Sequence, residues 1–305
     1  MAIVKTIVPM TSRDCEDTIL ALVKEYPFLR TEVLTESAYG RNIRTLVIGN
    51  GPRKVIYSAA HHANEWITTP VLLKFVEEFA CALQCGREIF EVPASELAAR
   101  TTIYTVPMVN PDGVDLVVGA IPKDSYPYQN VRRIGEHFPD IPFPDGWKAN
   151  LLGVDLNLQY PAGWLQAREI KFGQGYTQPA PRDYVGRAPL DQRESRALAG
   201  YTEYIDPALV LAYHTQGKEI YWQFEDYQVP GAKALGEKLA QVSGYTLADA
   251  PYESGFAGYK DWFIKAFRRP GFTIEAGEGE NPLPLSQFDE IYRENLGILV
   301  TAAMG

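Results

Sequence analysis

Two six-residue runs, Val-Ile-Tyr-Ser-Ala-Ala at 55–60 and Ala-Leu-Val-Leu-Ala-Tyr at 208–213, constrain the fold of this chain most tightly. Neither alternates between apolar and polar residues. Each therefore reads as a strand buried on both faces, and such strands belong to parallel sheets sandwiched between helices. Helical stripes stand around them. Ile19, Leu20, Leu22 and Val23 follow a capping-box-like start at Thr11-Ser12-Arg13-Asp14. Leu72, Phe75, Val76, Phe79 and Leu83 mark a helix beginning near Ile67. Ala232, Leu235, Leu239 and Val242 mark another, and Phe288, Ile291, Ile298 and Ala302 a closing helix whose face is apolar except at Asn295. Further strands are expected at 31–34, 43–48, 102–106, 220–224 and 272–275, with a helix over 193–205. Asn-Pro-Asp-Gly at 110–113 reads as a turn capped by Asp112, and 114–190 as a long loop-rich stretch. The alternation predicts an α/β fold: one domain over 1–305, with a mixed, largely parallel sheet and helices on both faces.

In open α/β sheets, ligands bind beyond the carboxyl ends of strands. His62 and Glu65 follow one such end, His214 ends another strand and Glu275 a third. The chain has only four histidines, so this shared address is informative. Two imidazoles and one carboxylate are the donor set of a catalytic zinc site with an open position for water, one ion per chain. Glu275, at the end of Phe-Thr-Ile-Glu, is placed to serve as general base. His61 reads as structural and His137 as solvated.

Charge narrows the partners. A net charge of -9 argues against nucleic acid and anionic membrane surfaces, which both require a basic face. No window approaches a membrane span, and no signal peptide is evident, so a cytoplasmic setting is expected. Three cysteines without metal-knuckle spacing agree with that. Nothing in the sequence bears on oligomeric state.

His-His-Ala-Asn-Glu-Trp (61–66), Val-Asn-Pro-Asp-Gly-Val (109–114), Gly-Val-Asp-Leu-Asn (153–157), Ala-Tyr-His (212–214) and Phe-Thr-Ile-Glu (272–275) occur in this order within 50–300. Together they resemble the motif set of the zinc carboxypeptidase family. The resemblance implies His62, Glu65 and His214 as zinc ligands, Glu275 as catalytic base and Asp155 as the acceptor that orients His62. It also implies Asn157 as a substrate contact and Tyr252 as a substrate-capping tyrosine, with Tyr259 a rival because the loop spacing differs. One departure matters. Leu158 stands where the family carries the arginine that grips a substrate's C-terminal carboxylate, and leucine offers no donor. The arginine that polarises the scissile carbonyl is not evident either, leaving Lys148, Arg132 and Arg133 as candidates for that support.

Asp-Leu-Asn-Leu-Gln-Tyr-Pro-Ala-Gly-Trp (155–164), Gly-Tyr-Lys-Asp-Trp-Phe-Ile (258–264) and Arg-Arg-Pro-Gly-Phe-Thr-Ile-Glu (268–275) resemble one bacterial branch that lacks the arginine too. That branch comprises γ-D-glutamyl-diamino-acid endopeptidases, which cut peptidoglycan stem peptides between γ-D-glutamate and meso-diaminopimelate. The resemblance implies a zinc peptidase of such stem peptides, and soluble muropeptides are the expected substrates; Arg182, Arg187 and Lys260 are candidates for the substrate carboxylates and Glu253 or Asp261 for the amine. The alternatives are a zinc carboxypeptidase of other peptides, an amidohydrolase like aspartoacylase or succinylglutamate desuccinylase, and a catalytically silent module that binds muropeptides.

Overall fold

The structure is a computed structural model that describes residues 2–305. Its strands are β1 (Arg30–Glu36), β2 (Asn42–Ile48), β3 (Arg53–Ala59), β4 (Glu88–Ile89) and β5 (Val92–Pro93), then β6 (Thr101–Val106), β7 (Leu209–His214), β8 (Glu219–Tyr221), β9 (Thr246–Ala248) and β10 (Gly271–Glu275). β4 and β5 pair only with each other. The other eight form one sheet in the order β1-β2-β6-β3-β7-β10-β8-β9. At its centre β6, β3, β7 and β10 run parallel, while β1, β2 and β8 add antiparallel edges. This is the expected single-domain α/β fold with a mixed, largely parallel sheet.

The two apolar runs explain the layering. Side chains alternate between the faces of a strand. Val55, Tyr57, Leu209, Leu211 and Tyr213 enter one core, shared with the helices Thr68–Gln84 and Phe288–Met304. Ile56, Val210 and Ala212 enter the opposite core, shared with Arg193–Ile205 and Tyr259–Phe267. Every residue of β7 is buried, and truncating one such leucine to alanine costs about 2–5 kcal/mol. Some polar groups in the cores are bonded: the Tyr57 hydroxyl donates to the Leu299 carbonyl at 2.8 Å, and Asn295 Nδ2 donates to the Tyr245 hydroxyl at 2.8 Å. Among the described residues no helix is long and apolar enough to cross a membrane.

Several sequence expectations are corrected. Asn-Pro-Asp-Gly does not form a turn but opens the helix Pro111–Val117, with Asn110 as its cap. Asp112 does not cap anything: it is fully buried and pairs with Arg41 at 2.6 Å, while accepting from the Tyr39 amide. The stretch 114–190 holds two further helices, Tyr126–Gly135 and Trp164–Gly173. The strand expected at 220–224 is the shorter β8. Helices Ala94–Arg100 and Tyr259–Phe267 and strand β9 were not expected.

Candidate metal centre

β3, β7 and β10 are consecutive in the sheet, and their carboxyl ends carry the site. Glu275 is the parallel register partner of His214. Beyond β3 the chain turns at His61 and His62 into a short 3-10 turn, Ala63–Glu65. That turn is fastened to the loop after Trp147: the Ala63 amide donates to the Lys148 carbonyl at 3.0 Å. Asn110 Nδ2 bonds the carbonyls of His61 (3.2 Å) and Ala149 (3.1 Å), joining both loops to the helix it caps. Gly113 is required in that helix, because a Cβ there would stand 2.7 Å from the Ala149 carbonyl oxygen.

Three side chains converge. Nδ1 of His62 lies 2.8 Å from Glu65 Oε1, and Nδ1 of His214 lies 2.8 Å from Glu65 Oε2. The two ring nitrogens are 3.2 Å apart. All the donor atoms fall within 4.8 Å of one another. Nε2 of His62 faces Asp155 Oδ1 at 3.1 Å, an arrangement that leaves Nδ1 as the lone-pair donor. Asp155 is itself fixed by the amides of Asn157 (3.1 Å) and Asp183 (3.3 Å). Nε2 of His214 is buried and has no hydrogen-bond partner.

The electrostatics favour a cation at the centre. Burial opposes charge on Glu65, yet His62, Lys148 and His214 hold its carboxyl well below the usual range. Burial likewise opposes ionisation of Asp155, and the His62 ring reverses that effect. In the ion-free protein burial disfavours a charged His62, but Glu65 and Asp155 push it up to about 9. His214 is lowered, chiefly by burial. Two ring nitrogens and a shared carboxylate, held between buried charges, form a donor set that suits one divalent ion. Glu275 stands apart from this set; burial, reinforced by the Glu65 charge, raises its carboxyl to about 8.

A cavity of about 150 Å³ opens in front of the cluster. Lys148, Asn157, Leu158 and Glu275 line it, as do Arg182, Lys260 and Asp261. Lys148 Nζ sits 3.0 Å from Glu65 Oε1. Asn157 Oδ1 accepts from the Tyr259 amide at 3.0 Å. Leu158 packs with Trp164 and Ala167. Other predicted residues are not brought to the cavity. Arg132, Arg133, Arg187 and Glu253 are exposed and do not line it. Tyr252 is 64% exposed, its hydroxyl 3.1 Å from Gln166 Nε2, and it lines an adjoining groove that meets the metal cavity at Ala250. Tyr259, its rival, is fully buried against His61 and Tyr160, with its hydroxyl 2.7 Å from Thr202 Oγ1. His61 is also buried and faces the Tyr160 hydroxyl at 3.2 Å, a structural placement, whereas His137 is exposed. Lys171 was missed. It is 5% exposed, lines the cavity and pairs with Asp183 at 2.7 Å, yet in sequence nothing separates it from a surface lysine.

Comparison with known proteins agrees with this geometry. A profile described as zinc carboxypeptidase matches residues 15–297. The chain is 43% identical over 284 residues to gamma-D-glutamyl-L-diamino acid endopeptidase 1 of Lysinibacillus sphaericus, covering 92% of this chain and 69% of that protein. It is 37% identical over 286 residues to an uncharacterised protein of Bacillus subtilis (strain 168), covering 93% and 74%. Among solved structures, carboxypeptidase A from Helicoverpa armigera shares the fold with a TM-score of 0.72 at 18% identity, covering 99% of this chain and 74% of that one. The family's cofactor is zinc, and the His-Glu-His cluster is suited to one such ion. This chain belongs to the zinc carboxypeptidase family and is a zinc metallopeptidase.

Proposed function

We propose that this enzyme hydrolyses the amide bond between γ-D-glutamate and meso-diaminopimelate in peptidoglycan stem peptides. His62, Glu65 and His214 are the metal ligands in this reading, and Glu275 is the general base. The carrying observation is the cavity wall: Leu158 occupies the family's carboxylate clamp, while Lys171, Arg182 and Lys260 bring cations to other points of the same wall. Lys171 and Arg182 share the single carboxylate of Asp183, at 2.7 and 2.8 Å, so that corner retains one net positive charge. Such a pocket matches a substrate with several carboxylates better than one ending in an apolar residue. The Lysinibacillus relative, a gamma-D-glutamyl-L-diamino acid endopeptidase by name, supports the same reading. The unpaired cysteines 15, 81 and 85 are in keeping with a reducing, cytoplasmic setting.

Zinc held by the three ligands supplies Lewis-acid polarisation of the scissile carbonyl and makes water acidic enough to attack near neutral pH. The chain's own residues do the rest. Glu275 accepts the proton of the attacking water at its carboxylate and delivers it to the departing amine of the diamino acid. Asp155 keeps the His62 ring in one tautomer. Lys148, beside Glu65 and lining the same cavity as Glu275, offers an ammonium to the developing oxyanion. Asn157, whose oxygen is engaged by the Tyr259 amide, presents Nδ2 to the substrate. Tyr252 stands over the adjoining groove, where movement onto bound substrate excludes water.

The test is direct. L-Ala-γ-D-Glu-meso-diaminopimelate is incubated with the zinc-loaded protein, with and without a chelator, and free diaminopimelate is measured by chromatography. Release that stops on chelation and returns with zinc is expected. Failure of the zinc-loaded protein to release it would refute the substrate assignment.

A further inference from the structure

The helix Tyr259–Phe267 begins on the wall of the metal cavity, and its second and third residues are Lys260 and Asp261. Both are deeply buried, at 4% and 3% exposure, and both line the cavity. Nζ of Lys260 lies 2.5 Å from Asp261 Oδ1 and donates to the Gln223 carbonyl at 2.6 Å. Asp261 Oδ2 accepts from the Gly258 amide at 3.1 Å, which caps the helix and fixes the carboxylate. Residue 258 has no room for a side chain, since a Cβ there would stand 2.7 Å from that same oxygen.

Stability does not account for Lys260. A buried ion pair is on balance no better than apolar side chains of similar volume. A lysine in the first turn of a helix also opposes the positive end of the helix dipole. The cap requires Asp261 alone. An ammonium is thus held, against two unfavourable terms, at the wall of the cavity where the substrate enters. It has capacity to spare: a lysine carries three N–H donors, and the protein takes one of them in a hydrogen bond, to the Gln223 carbonyl, while Asp261 meets the ammonium as an ion-pair partner. Asp261 Oδ1 is buried without a hydrogen bond of acceptable geometry.

A positive and a negative group side by side complement one kind of ligand, an ammonium and a carboxylate carried on the same carbon. We infer that the Lys260–Asp261 pair reads the zwitterionic far end of the released diamino acid. Lys260 donates to the distal carboxylate and Asp261 Oδ1 accepts from the distal ammonium. The Lys171–Arg182–Asp183 corner, with its net positive charge, takes the lone α-carboxylate of the same residue. This assignment rests on the proposed substrate. It makes the pair the specificity determinant for a side chain ending in an amino acid rather than in an amine alone.

Binding separates this inference from the reaction. The Glu275→Gln protein, loaded with zinc, is titrated calorimetrically with L-Ala-γ-D-Glu-meso-diaminopimelate and with L-Ala-γ-D-Glu-L-lysine, which lacks only the distal carboxylate. The first is expected to bind about 10- to 100-fold more tightly, the range for losing a charge-assisted hydrogen bond. Lys260→Met in the same background is expected to bring that ratio close to one. Lys260→Met/Asp261→Asn, which leaves no unpaired charge and preserves the cap, is expected to do the same, with zinc content and melting temperature recorded for each. An unchanged ratio in both variants overturns the inference, as does wild-type-like indifference to the distal carboxylate. Discriminating binding without turnover by the unmutated enzyme would sustain the pair's role and refute the bond assignment. Turnover without discrimination would do the reverse.

Discussion

Asp155→Asn is the most informative single change at the metal centre. Asp155 Oδ1 serves two donors, His62 Nε2 and the Asn157 amide, each at 3.1 Å, and Oδ2 serves the Asp183 amide at 3.3 Å. Asparagine has the same shape but one acceptor oxygen. With that oxygen at the Oδ1 position, the His62 and Asn157 contacts survive as neutral hydrogen bonds of roughly half the strength, and the new NH2 faces the Asp183 N–H. In the flipped orientation the NH2 faces His62 instead and favours the tautomer that places the proton on Nδ1, the nitrogen proposed to hold zinc. Either outcome weakens the metal site while leaving the sheet and its cores untouched. The expected loss of zinc affinity is about 10- to 100-fold, or roughly 1.4–2.7 kcal/mol. Competition with a chromophoric chelator measures it, and thermal unfolding of the metal-free protein shows whether the fold is intact. Zinc affinity equal to that of the unmutated enzyme, in a folded Asp155→Asn protein, would refute the orienting role.

Two further outcomes are expected. Glu275→Gln should lower kcat by about 100- to 10,000-fold while zinc content stays at one ion per chain, because in the proposed mechanism the carboxylate serves as base and not as ligand; unchanged turnover would exclude it as the base. The same variant should alter the pH dependence of stability in the metal-free protein. Burial and Glu65 raise the Glu275 carboxyl from 4.5 to about 8, so between those values the folded chain holds a proton that the unfolded chain has released. That contribution to stability is fully present below about 4.5 and is lost as pH rises through 8. Urea midpoints at pH 5 and pH 8 should therefore fall further apart in the unmutated protein than in Glu275→Gln, and equal slopes would contradict the raised value.

The parts of this molecule legible in its sequence are those set by burial. Strands β3 and β7 contact helices on both faces, so their residues carry an uninterrupted apolar signal, and the histidines at their ends stand out against it. Asn110-Pro111-Asp112-Gly113 misled because asparagine and proline begin helices as readily as they begin turns. Only tertiary context decides, and here it comes from Arg41, 71 residues before Asp112. The helix Trp164–Gly173 escaped for a related reason. Its buried residues are Trp164, Ala167 and Lys171, and the lysine reads as polar until Asp183 is seen beside it. The sequence favours Tyr252 but its loop spacing leaves Tyr259 a rival, and depth separates the two. A buried tyrosine hydrogen-bonded to Thr202 cannot swing over a substrate.

His62 and His214 are 152 positions apart, and their adjacency depends on β3 and β7 pairing in the right register. Closing so long a loop is a late event, since its entropic cost must be met before the contact rewards it. The unfolded chain therefore holds no preformed set of the three proposed ligands; the nearest pair among them is the His62–Glu65 dyad. Zinc bound to the folded state alone is therefore expected to slow unfolding more than it speeds folding.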